Sequence, residues 1–140
     1  MTIDRHNRVV RLCADGMEAE GNGMNALARS LFLEAYEMAR DDYERCIAAH
    51  YVARHQETAF DALRWNRISL DHADASDDPR IVGFHPSLLL CLGRSYEAIG
   101  DPEEARRWYE RAGRRTGDLA DDGYGKVVRA GVEAALVRTH

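Results

Sequence analysis

Ile47, Tyr51, Arg54 and His55 are spaced by four, three and one residues, so on a helix their side chains share one face. Such a face suits recognition. The planar guanidinium of Arg54 can donate two parallel hydrogen bonds to a carboxylate or phosphate. Tyr51 offers contact surface, and His55 adds a charge that appears in mildly acidic solution. A second polar group, His50, Asn66 and Ser69, interrupts apolar patterning in the same stretch. Burying an imidazole or an amide without partners costs on the order of 1–3 kcal/mol each. Two readings fit: the three groups satisfy one another or a backbone carbonyl, or they open a polar pocket around His50.

Further along, His72, Asp74, Asp77, Asp78 and His85 form a cluster that could hold a hard or borderline cation. The enzymatic reading of that cluster is a small metal-assisted hydrolase; the plain reading is a solvated acidic loop. His50 and His55 diverge by roughly 140° around a helix and make a poor metal pair. No HExxH, GxSxG, P-loop or GxGxxG occurs, so no catalytic motif and no cofactor is expected. Cys13, Cys46 and Cys91 form no CxxC and read as small apolar packing residues. Trp65 and Trp108 read as packing residues rather than a ligand platform.

The elements that must position these groups are helical. The chain has 140 residues, 45% of them hydrophobic and 31% charged, enough for a real core. A net charge of −5 argues against a nucleic-acid surface, which needs a basic face. No apolar run approaches the roughly 20 residues of a membrane helix, and the first twelve residues lack a signal peptide's apolar stretch, so a cytoplasmic location is expected. Lys126 is the lone lysine among 19 basic residues, a bias that suggests a bacterial, GC-rich source.

Residues 88–112 read as a helical hairpin. Leu89, Leu92 and Tyr96 fall on one face, Gly100 permits a left-handed turn, Asp101 and Pro102 start a second helix, and Ala105, Tyr109 and Ala112 form its stripe. Earlier copies are in phase with it. Leu12, Gly16, Ala19, Gly23, Ala28, Phe32 and Ala35 repeat the spacing, and Cys46, His50, Ala53, Ala62, Asn66 and Ser69 repeat it again. Thr58 and Asp61 resemble a capping box for the second helix of that middle copy. Gly16 to His50 spans 34 positions and His50 to Gly93 spans 43, which leaves nine extra residues before the third copy. Val127, Val128, Val132, Ala135 and Leu136 mark a last helix over 124–138.

Leu89, Leu92-Gly93, Tyr96, Ala105 and Tyr109 carry the order and spacing of a tetratricopeptide repeat, which the chain resembles over residues 5–117. The resemblance implies an all-α fold: a right-handed superhelical solenoid of three hairpins (9–40, 43–73 and 86–117), with a loop insert at 74–85 and a capping helix, in one domain over 1–140. It also implies a concave groove formed by the first helices, lined by Met17, Ile47, His50, Tyr51, Arg54, His55 and Arg94. The expected function is non-enzymatic binding of a protein or peptide with an acidic or C-terminal carboxylate group. The Lys, Asn and Arg clamp that some members use for chaperone tails is missing; Cys13, Met17, Ala48 and Leu90 stand in those places. A homodimer through an open terminal hairpin fits the same reading, as does a small-molecule or signalling-peptide sensor with its pocket at His50.

Overall fold

The computed structural model describes residues 7–140. Residues 1–6, which include the start of the 5–117 resemblance and half of the stretch read for a signal peptide, lie outside it. Among the described residues there are seven α-helices, two short 3₁₀ segments and no strand. No helix among them is long and apolar enough to cross a membrane. The helices are α1 (Arg8–Gly21), α2 (Asn25–Met38), α3 (Asp42–Ala53), α4 (Ala59–Ala75), α5 (His85–Ala98), α6 (Pro102–Arg114) and α7 (Gly123–Arg138). The chain divides into two compact units, one running to Ser76 and the other from Asp77 to His140.

In the first unit α1 packs on α2, α2 on α3 and α3 on α4. Side-chain caps fix the helix starts. Asn7 accepts from Val9 N at 2.8 Å, Asp41 from Glu44 N at 2.8 Å, and Thr58 from Asp61 N at 3.0 Å. The turn between α1 and α2 needs Gly23, whose φ of 73° suits a residue without Cβ. The core here joins Val9, Leu12 and Ala19 of α1 to Ala28, Phe32 and Ala35 of α2.

In the second unit α5 packs on α6, and α7 packs on both. Gly100 (φ 86°) turns the chain, Asp101 accepts from Glu104 N at 3.1 Å, and Pro102 opens α6. The stretch 74–85, expected as a loop, is partly helical. α4 runs on to Ala75, Pro79–Phe84 forms a 3₁₀ helix capped by Asp78, and α5 begins at His85. Ile81 is buried, which gives that segment an apolar reason to fold back.

Two close approaches set the hairpins. A Cβ placed on Gly16 would lie 2.5 Å from Phe32 Cε1, and one on Gly93 would collide with the Tyr109 ring. Both rings are fully buried. In the middle hairpin the bulk is exchanged: His50 stands where the others have Gly, and Asn66 where they have the aromatic ring. Gly16→Ala should therefore cost about 1–3 kcal/mol in urea unfolding, as overpacked cores do. Gly21→Ala, with nothing within 4 Å of the added carbon, should leave stability unchanged or slightly raised.

Candidate functional site

The structure brings Tyr51, Arg54 and His55 together around two residues that periodicity alone did not single out for the site, Glu20 and Phe32. α3 ends at Ala53, so Arg54 is its C-cap and His55 belongs to the following turn rather than to the helix. Both reach back to α1. Arg54 donates to Glu20 through Nε at 3.2 Å and through its terminal NH2 to the other carboxylate oxygen. His55 Nε2 meets Glu20 Oε2 at 2.6 Å. The Phe32 ring stacks on Tyr51 at 5.0 Å and on His55 at 5.8 Å, while the Arg54 guanidinium sits 4.8 Å from the Tyr51 ring centroid.

Glu20 is the electrostatic centre of this arrangement. Burial pushes its carboxyl up, and the hydrogen bonds and charges of Arg54 and His55 outweigh that, holding it below the usual carboxylate range. Its side chain is only 18% exposed, against 45% for Arg54. The guanidinium thus keeps an open edge toward solvent while one side is neutralised. The pair is tertiary, since Glu20 lies 34 positions upstream of Arg54, one repeat period away.

The other expected residues are placed as follows. Met17 is exposed on α1, and Ile47 and His50 are partly buried on α3. His50 lies edge-on to Tyr51 at 5.5 Å. Its imidazole is pushed down to about 4 by burial, with Arg54 lowering it further and Glu20 opposing. Ser69 donates to the Cys46 carbonyl at 2.8 Å, so that member of the polar trio is satisfied by backbone. Asn66 is buried. Arg94 belongs to the second unit, is exposed, and makes no ion pair among the described residues. Near it, Glu97 binds Arg138 of α7 through both carboxylate oxygens, at 3.1 and 2.7 Å, and also accepts from the Tyr109 hydroxyl. The Arg138 hydrogen bonds hold the Glu97 carboxyl low against the opposing effect of burial.

Glu97 stands four residues after Gly93, as Glu20 stands four after Gly16. Each carboxylate takes an arginine fork from a later helix or its cap and one further side-chain hydrogen bond. This repeated clasp was not anticipated from the sequence, although the shared +4 position was visible there.

The cluster His72, Asp74, Asp77, Asp78 and His85, which could have held a cation, does not come together as a ligand set. His72 sits inside α4, with Nδ1 2.8 Å from Asp42 and Nε2 2.9 Å from the Tyr36 hydroxyl, and the Tyr36 ring meets Trp65 edge-on. Among the described residues, no three His, Cys, Asp or Glu side chains come together as metal ligands. The Tyr36–His72–Asp42 chain has sequence separations of 30 and 36, which no local motif could reveal. Another buried carboxylate, Glu44, accepts from Asn7 at 2.9 Å and from Arg40 N at 2.9 Å, tying the start of α1 to α3. Burial raises the Cys13 and Cys46 thiols to about 11, so both stay protonated packing groups near neutrality.

No family model, curated protein or solved structure matches this chain.

His50 gives a pH prediction. Its folded value of about 4 lies below the unfolded value near 6.5, so the unfolded chain binds the extra proton between them. Stability from this group is complete above about pH 6.5 and is lost as pH falls toward 4, by up to about 3 kcal/mol. Denaturant midpoints measured across that window should fall steeply for the native chain and less steeply for His50→Gln; equal slopes would assign the effect elsewhere.

Proposed function

We propose that the chain is a tetratricopeptide-like module that binds a protein or peptide without catalysis. The observation that carries this reading is the internal repetition of one design. Two hairpins are built on the same glycine–aromatic approach, and two clasps put Glu at the same position after that glycine. Hairpin repeats of this kind stack into solenoids whose first helices present an extended binding surface. In this reading α1 and α3 of the first unit, and α5 of the second, present the faces that bind.

Within it, Met17, Ile47 and Tyr51 offer apolar contact, and the open edges of Arg54 and Arg94 orient an acidic or C-terminal carboxylate. His55 is committed to Glu20 and acts by holding that carboxylate, and through it Arg54, in place. A partner carboxylate would share the Arg54 fork with Glu20 rather than find it vacant, which favours modest affinity and several weak contacts.

The test uses two exposed residues outside the buried core. Met17 and Arg94 are both exposed, so Met17→Glu and Arg94→Glu should retain the native circular dichroism. A protein partner enriched from the native lysate by the wild type should be lost by both variants. Retention of the same partner by both variants would refute the surface assignment.

A further inference from the structure

The outer face of α7 is built like the inside of a hairpin. Arg138, which completes the clasp with Glu97, corresponds to Arg54, which completes the clasp with Glu20. Since Arg54 stands four residues after His50, this register puts Ala134 in the place of Gly16, His50 and Gly93. The stripe Val127, Ala130, Ala134 and Val137 then corresponds to Val9, Leu12, Gly16 and Ala19 of α1. There those residues are buried in the core shared with α2. On α7 all four are exposed, Val127 at 72% and Val137 at 79%. The opposite face of α7, with Val128, Val132 and Ala135, is the one that packs inward. α7 is therefore apolar on both sides, as the first helix of a hairpin is and a solvated terminal helix is not.

A second feature marks where a covering helix would lie. A cleft of about 570 Å³ runs between α6 and α7, lined by Arg106, Glu110 and Arg114 on one side and Leu136 and Val137 on the other. Arg106 pairs with Glu110 at 3.1 Å and donates to the Leu136 carbonyl, which fixes that wall. Arg114 is exposed and makes no ion pair among the described residues. Arg114 thus puts one positive charge without an ion-pair partner on the rim, beside the apolar floor of Leu136 and Val137.

We propose that this face docks an amphipathic helix of a partner protein, with small apolar residues toward α7 and acidic residues toward Arg114. Ala134 excludes an aromatic ring at the closest approach. The same site in α1 and α5 admits Phe32 and Tyr109 only because it is glycine. The bound helix must be small-residued there. This surface is distinct from the Met17–Arg94 surface, and the two stand or fall separately.

The probes are two labelled helical peptides of about five turns, one with an Ala/Leu stripe flanked by Glu, the other with every Glu replaced by Lys. Fluorescence anisotropy should show saturable binding of the acidic peptide only. Binding should vanish in Val127→Asp and Val137→Asp, which alter exposed positions, and weaken about tenfold in Arg114→Glu. Binding of neither peptide, equal binding of both, or full binding by the Asp variants overturns the proposal. So does sedimentation showing that the protein alone is a dimer split by Val137→Asp, because a second copy would then cover the face.

Discussion

The contact on which the rest depends is the meeting of a bare backbone with a ring: Gly16 under Phe32, and Gly93 under Tyr109. Removing one Cβ lets two helices approach closely enough that an aromatic side chain is buried completely between them. Each ring then becomes a platform. Phe32 carries Tyr51 and His55 on its faces, and Tyr109 extends its hydroxyl to Glu97. Without the close approach neither carboxylate would have its extra partner where it is.

The buried and half-buried carboxylates form the second level of organisation. Glu20, Glu44 and Glu97 each lose solvation and regain it from two or more side-chain or backbone donors. All three join segments distant in sequence. Exposed ion pairs such as Arg107 with Glu103 add little by comparison, because water screens them. The geometry that shapes the candidate surface, with Arg54 aligned over Tyr51, follows from Glu20 rather than from any property of α3 itself.

Helix number, the caps at Thr58 and Asp101, the glycine turns and the glycine–aromatic pairing of the outer hairpins were legible in the sequence, since each rests on local spacing. The 3₁₀ helix at Pro79–Phe84 was not, because its content of Asp, Pro and Gly reads as loop, and the burial of Ile81 and the Asp78 cap that stabilise it are not visible in local spacing. Tyr51, Arg54 and His55 meet around Glu20 and Phe32 rather than along one helix face, because α3 ends at Ala53. Glu20 lies on another helix, and a surface glutamate and a clasping one look the same in sequence. His72 shows the same limit from the other side, because its acidic neighbours in sequence gave way to Asp42 and Tyr36 in space.

A double-mutant cycle across Gly93 and Tyr109 tests the central contact most directly. Gly93→Ala should destabilise the native chain by about 1–3 kcal/mol, and the same change in a Tyr109→Ala background should cost close to nothing, because the ring it strikes is gone. Equal costs in the two backgrounds would contradict the account, since the penalty would then come from the helix backbone and not from the meeting of glycine and ring.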